Sequence, residues 1–217
     1  MAIRLSIGCG QTPINGWRNF DNSMGILFSR VPYLPELMRK LGIINDPQYR
    51  FMALARENQI EYGDATKVLP VSDNCAEVVY SCHMLEHLDS DGAGRFLEEA
   101  LRILRPGGII RIAVPDIRKH VQEYQKHGDA DAFIKATHLC VPCPKSIGER
   151  VRFLLFGPRH HQWLYDGSSL TTLVEKHGFT DSKVMPPGQT SILNHEPLDL
   201  FQRASKSVYV EAAKPSI

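Results

Sequence analysis

Gly8-Cys9-Gly10 puts two glycines on either side of one residue, directly after an apolar run at residues 3–7. Glycine lets a backbone take positive φ and approach a ligand closely. Asp21 ends a second short run, residues 17–21, where a carboxylate can accept from both hydroxyls of a ribose. Gly63-Asp64-Ala65 follows a third run at 59–62. Asp64 can accept from an adenine amino group, and Ala65 leaves room for a flat ring. A fourth run, residues 76–81, leads into Ser81-Cys82-His83-Met84-Leu85-Glu86-His87, and a fifth, 109–114, leads into Pro115-Asp116. His83 and His87, with His160 and His161 later in the chain, add imidazoles that exchange protons near neutral pH. The chemistry on offer is nucleoside binding beside a histidine base.

These residues need a frame that gathers them. The apolar runs alternate with helical patterns, which is the signature of an α/β fold. Residues 89–104 read as a helix, because Phe96, Leu97, Ala100, Leu101 and Leu104 share one face, and Pro106-Gly107-Gly108 stops it. Residues 117–127 and 168–177 read as further helices, the latter ended by Gly178. Residues 109–114 are almost wholly apolar, as a strand covered on both faces must be. Residues 179–185 and 207–212 close the chain as two strands that suit an antiparallel edge. The expectation is a Rossmann-like, mainly parallel sheet with helices on both faces, in one domain over 1–217. Helical insertions at about 22–58 and 129–165 interrupt it. In such sheets ligands bind beyond the carboxyl ends of the strands, at the point where strand order reverses. The chemistry-bearing residues above all follow strands.

The glycine pair lacks the third glycine of Gly-x-Gly-x-x-Gly, since Gln11-Thr12-Pro13 follows it. Pro13, Asn15 and Gly16 also argue against the helix N-terminus that a pyrophosphate needs. A cofactor without phosphates loses little from either absence, and S-adenosylmethionine is one. With 25 basic and 24 acidic residues the net charge is +1, without the basic excess of a nucleic-acid binder. Five cysteines, the lack of an apolar leader and the lack of a run near the roughly 20 residues of a membrane span fit a soluble, cytoplasmic protein. His138-Leu139-Cys140-Val141-Pro142-Cys143 holds ligand types without a neighbouring second pair, so no metal is expected.

Several segments together resemble the class I S-adenosylmethionine-dependent methyltransferases, and within them the type 11 family. Ile7-Gly8-Cys9-Gly10 with Gly16-Trp17-Arg18-Asn19-Phe20-Asp21 is similar to a compact first motif. Asp64-Ala65, Leu69-Pro70-Val71-Ser72-Asp73-Asn74, Val78-Val79-Tyr80-Ser81 and Leu85-Glu86-His87-Leu88 resemble the middle motifs. Leu104-Arg105-Pro106-Gly107-Gly108 resembles the next element, and His161-Gln162-Trp163 with residues 170–179 the late region. The resemblance implies S-adenosylmethionine as cofactor. It places Gly8, Cys9 and Gly10 along the methionine and ribose portions, Asp21 on the ribose hydroxyls and Asp64 and Ala65 around the adenine. Ser81, His83 and Leu85 fall toward the methionine end. His83, His87 and His161 are the candidate catalytic groups.

One feature departs from the family. Asp21 comes 11 residues after Gly10, too close for the usual helix between the first two strands. Either that helix is reduced to a turn or the second strand is displaced. The expected activity is methyl transfer to a small acceptor, a sugar or another polar metabolite, with no nucleic acid and no membrane involved. The alternative is a non-catalytic cofactor-binding or partner protein of the same fold.

Overall fold

The computed structural model describes residues 3–140, 146, 148, 150 and 160–216. Seven strands form one sheet in the order β3-β2-β1-β4-β5-β7-β6. They are β1 (Ile3–Ile7), β2 (Arg18–Asp21), β3 (Glu61–Tyr62), β4 (Ala76–Cys82), β5 (Leu104–Pro115), β6 (Thr180–Met185) and β7 (Ser207–Ala213). Strands β1 to β5 pair in parallel, and β7 runs antiparallel to both β5 and β6. This is the Rossmann-like, mainly parallel sheet with an antiparallel edge that the sequence pattern predicts. Strand order reverses between β1 and β4.

Alternation along the central strands sorts side chains to two faces. Val79, Ile110, Ile112, Val208 and Val210 join one cluster with Phe96 and Leu97 of α4 (Ser90–Ile103) and with Leu170 and Val174 of α7 (Gly167–Lys176). Asp89, not a helical residue, caps α4 by accepting from the Gly92 N–H at 2.6 Å. Its C-terminus differs from the predicted stop at Pro106-Gly107-Gly108. The helix ends at Ile103, and β5 starts at once with Leu104 pairing Ala76. Residues 105–108 then bulge before Ile109 pairs Val78. A Cβ on Gly108 would stand 2.9 Å from the Arg105 carbonyl oxygen, so the bulge needs glycine there.

The opposite face shows how the short first crossover is resolved. Strand β2 is not displaced: it pairs β1 in register, Leu5 with Arg18 and Ile7 with Phe20. The missing helix is a turn, held by buried Asn19. Its side-chain oxygen accepts from the Ile14 N–H (2.8 Å), and its amide donates to the carbonyls of Ile14 and Trp17 (3.0 Å each). Ile14 and Trp17 cover part of the face over Val78 and Tyr80. Ile192, Leu198 and Leu200, from the long connection between β6 and β7, cover the rest.

That connection is anchored by a buried ion pair. Arg111 on β5 and Glu211 on β7 are both almost fully buried and meet at 2.5 Å. Glu211 also accepts from Thr190 Oγ1 and from the N–H and hydroxyl of Ser191, while Arg111 donates to the Gln189 carbonyl. The guanidinium lies over the Tyr209 ring, 5.0 Å from its centroid.

The insertion at 22–58 folds as three helices: α1 (Met24–Ser29), α2 (Leu34–Lys40) and α3 (Asp46–Glu57). The pattern of apolar residues shows the last two but not α1, which is short and is capped by Ser23 accepting from Gly25. The second insertion begins with α6 (Ala130–Thr137), behind α5 (Ile117–His127). Among the described residues no helix is long and apolar enough to cross a membrane.

Burial pushes the Glu211 carboxyl upward, but its bonds from Ser191, Thr190 and Arg111 outweigh that and hold its pKa below the ordinary value. A depressed carboxylate stabilises the fold fully above the ordinary glutamate range, about pH 4.3, and that contribution fades as pH falls through the lowered value. Replacing Glu211 by alanine leaves Arg111 buried and unpaired. We expect Glu211→Ala to cost about 3–5 kcal/mol in urea unfolding near neutral pH, with the gap from wild type narrowing in acid. A neutral-pH cost under about 1 kcal/mol, the scale of an exposed pair, would contradict the anchoring role.

Candidate active site

The polar residues follow four adjacent strands, β3, β2, β1 and β4, and the strand order reverses between the last two. Directly after β1, Gly8 and Gly10 take φ of +72° and +52°. The Gly8 and Cys9 N–H groups both donate to the Phe20 carbonyl, and the Gly10 N–H donates to Asp21 Oδ2 at 3.0 Å. Asp21 Oδ1 accepts from the Ser23 N–H at 2.9 Å. The Asp21 carboxylate is therefore fixed by backbone donors on both sides and stays partly exposed. A Cβ on Gly8 would fall 2.3 Å from Met84 Cγ, whereas one on Gly10 would meet nothing within 4 Å. Close packing explains the first glycine. The second leaves open space beside the loop.

Asp64 lies after β3, partly exposed. Its Oδ1 accepts from the Thr66 N–H (3.0 Å) and hydroxyl (2.8 Å), and Lys67 stands 3.4 Å from Oδ2. Burial pushes this carboxyl up, but the Thr66 and Lys67 partners outweigh it and keep the pKa below normal. Asp64 is thus ionised at neutral pH, with Oδ2 the less occupied oxygen. Glycine at 63 is required, because a Cβ would meet Leu69 at 2.6 Å and Phe20 at 2.9 Å.

Four other predicted cofactor residues face inward. The Cys9 thiol packs with Ile26, Phe51, Ala55 and Ile60. Its pKa is pushed up to about 12, mainly by burial and then by the Asp21 charge. Ala65, Ser81 and Leu85 are buried, and the Ser81 hydroxyl makes no hydrogen bond. All four side chains are part of the core and not of an open ligand surface.

The three candidate catalytic histidines converge on a residue the motif reading did not single out, Glu86. It is almost fully buried on the short 3-10 turn Leu85–His87. His83 Nδ1 lies 3.1 Å from Glu86 Oε1, and His161 Nε2 lies 3.9 Å away. The His87 and His161 rings meet edge to face at 5.1 Å, and His138 tilts against His161 at 5.3 Å. The sequence signal for Glu86 is a charge in a short segment that also holds Met84, Leu85 and Leu88, but its partner His161 comes from a distant loop. Backbone bonds join the two: the Glu86 carbonyl accepts from the N–H groups of Gln162 (2.7 Å) and Trp163 (3.2 Å).

His83 is held in the left-handed region, φ +53°. Such strain in a non-glycine residue concentrates at functional sites. Its Nε2 is 2.8 Å from Ser207 Oγ. His161 is neutral at physiological pH: burial lowers its pKa to about 4, with His87 and His138 adding to the shift and Glu86 opposing it. Both rings line a cleft of about 1460 Å³ with Lys119, His120, His138 and Arg203. His138 belongs to the sequence group considered for zinc; Cys143 of that group lies outside the described residues.

Comparison with known proteins places the fold in a class. Residues 36–112 match the family described as methyltransferase domain, type 11. Among solved structures, an S-adenosylmethionine-dependent methyltransferase of Methanosarcina mazei is 16% identical, over 99% of this chain and 92% of that one, with TM-score 0.55. One from Thermotoga maritima, described as a possible histamine N-methyltransferase, is 17% identical over 99% and 82%, with TM-score 0.53. Among curated proteins no match is found. The fold is that of the class I S-adenosylmethionine-dependent methyltransferases. Within that class, residues 36–112 are similar to the type 11 methyltransferase domain, and this match together with the fold points to S-adenosylmethionine as the cofactor.

The two glycines differ measurably. Gly8→Ala should cost roughly 2–4 kcal/mol in unfolding free energy, combining left-handed strain with the clash on Met84. Gly10→Ala should cost only roughly 1–2 kcal/mol. Gly8→Ala with Met84→Ala should lose less than the two single losses added. Strict additivity would contradict the contact.

Proposed function

We propose that this chain, acting as one domain over its 217 residues, methylates a small polar acceptor held in the histidine-lined cleft. The observation that carries the reading is His83. It follows β4 at the reversal of strand order, is strained, and lines the cleft.

S-adenosylmethionine supplies a methyl group on a positively charged sulfur, a leaving group that needs no activation. The residues fit it. The open face at Gly10 offers a cradle, Asp21 offers a carboxylate for ribose hydroxyls, and Asp64 Oδ2 can accept from an amino group.

The protein's main task is then to place the acceptor in line, which can contribute roughly 7–11 kcal/mol in favourable cases. A hydroxyl or ammonium acceptor must also lose a proton. The Glu86 carboxylate, 3.1 Å from Nδ1, favours by its charge a proton on that nitrogen, which leaves Nε2 as the basic nitrogen of His83. The Ser207 hydroxyl beside it can turn to His83 or to the Arg203 carbonyl, 3.0 Å away, so the proton can be received there. His138 and the neutral His161 form a wall of the same cleft. Lys119, Arg203 and Lys206 add positive charge to it, which favours an acceptor with anionic or hydroxyl groups over a cationic one.

The test is a methyl-transfer screen across hydroxyl, amine and carboxyl acceptors, followed by variants on the best substrate. His83→Ala should lower turnover by about 10²–10⁴-fold, with cofactor affinity within about threefold of wild type. Asp64→Ala should do the reverse, weakening the cofactor more than the chemical step. Full turnover in His83→Ala would remove it as the base. Transfer to none of the acceptor classes, with cofactor still bound, would favour the non-catalytic reading.

A further inference from the structure

We propose that Glu86, His87 and His161 form a binding site for one divalent transition-metal ion of the zinc class. Each offers one ligand atom, and the three atoms lie within 4.8 Å of one another. Residue spacing along the chain hides the set, because the loop that brings His161 joins the 85–87 turn only in the folded sheet.

Three observations point to a cation. Glu86 is 1% exposed, and neither carboxylate oxygen receives a hydrogen bond. His83 comes to 3.1 Å without hydrogen-bond geometry. A buried carboxylate left this way costs several kcal/mol unless a positive partner arrives. The second observation is His87. Its Nδ1 lies 2.9 Å from the His160 carbonyl oxygen, which can only accept, so Nδ1 carries the proton. In the neutral ring, the form that ligates a metal, that leaves the Nε2 lone pair free in a fixed orientation, the arrangement that metal-binding histidines receive from their outer partners. The third is the scaffold. Gln162 and Trp163 donate to the Glu86 carbonyl, Gln162 Nε2 donates to the His87 carbonyl at 2.7 Å, and the His161 N–H donates to the His138 carbonyl at 3.0 Å. The ligands are therefore brought together before any ion binds.

The donor set selects the ion. Two imidazoles and one carboxylate suit zinc, cobalt or copper better than magnesium or calcium, which prefer oxygen throughout. Ligand distances of about 2.0–2.2 Å in a tetrahedral site put the donor atoms about 3.4 Å apart. Glu86 Oε1 and His161 Nε2 stand at 3.9 Å, so about half an ångström of closure is needed at this pair. Three protein ligands leave a fourth position for water or another small oxygen ligand. His161 also lines the cleft. The ion would thus clip the loop at 160–163 to the turn after β4. The site does not depend on methyl transfer.

Metal-free full-length protein titrated with Zn²⁺, and with Co²⁺ for its absorption spectrum, tests this without cofactor or acceptor. One ion should bind per chain. Co²⁺ should show the absorption of a tetrahedral site with nitrogen and oxygen donors and no thiolate charge-transfer band. Glu86→Gln, His87→Ala and His161→Ala should each weaken Zn²⁺ by about 100-fold or more, and Cys140→Ser should leave it unchanged. The proposal is overturned by a lack of stoichiometric binding, by a thiolate band marking the cysteines near His138, or by full affinity in both histidine variants. Should the variants fail to fold, the wild-type cobalt spectrum and stoichiometry decide alone.

Discussion

Strands β1 and β2 lie side by side in parallel with only a turn between them, and much of this molecule follows from that constraint. A parallel neighbour ordinarily brings a helix that covers the sheet. Here the turn contributes Ile14 and Trp17, and the β6–β7 connection must cross over to finish the cover. A long irregular segment has little backbone pairing of its own, so something else must hold it. Arg111 and Glu211 do so from beneath. Gln202 adds a second tie: it accepts from the Tyr80 hydroxyl, donates to Thr12 beside the glycine loop, and offers its carbonyl to the Tyr209 hydroxyl. The same connection ends in Arg203, Ser205 and Lys206, which line the cleft. Compensation for a missing helix thus also builds part of the proposed acceptor site.

The other side of the site rests on burial of charge. Glu86 sits where the strand order reverses, among His83, His87 and His161. Each imidazole enters from a different constraint: the left-handed backbone at His83, the His160 carbonyl at His87, and the paired loop backbone at His161. A carboxylate buried in this position without a hydrogen bond asks for positive charge. That demand connects the proton chemistry proposed for His83 with the proposed metal ion.

The central frame was legible because its signals are local. Alternation and β-branched residues mark β4, and the apolar face of α4 repeats at helical spacing. The ends of α5, Ile117–His127, coincide with the sequence reading because Asp116 caps one end and Gly128 the other. Glycine and aspartate after successive strands could be read as a candidate site because an open parallel sheet gathers its strand ends. What stayed hidden depends on contacts across long stretches of chain. Arg111 looks misplaced in an apolar strand until Glu211 is beside it. The bulge at 105–108 looks like a helix stop because Pro-Gly-Gly serves both purposes. Cys9 and Leu85 lie in the right motifs, but a motif does not say which way a side chain points, and both point into the core. The short first crossover left two topologies open, and the buried Asn19 amide, holding three backbone groups of the turn, shows why the compact one is stable.

The central claim is that the glycine loop and strand-end carboxylates hold S-adenosylmethionine rather than a dinucleotide. Thermal unfolding with each ligand tests it most directly. At about 100 times its dissociation constant a ligand adds about 2.7 kcal/mol, or roughly 5–10 °C in Tm for a chain of this size. Such a rise is expected with S-adenosylmethionine and with its demethylated product, and none with NAD. A rise with NAD and none with S-adenosylmethionine would contradict it.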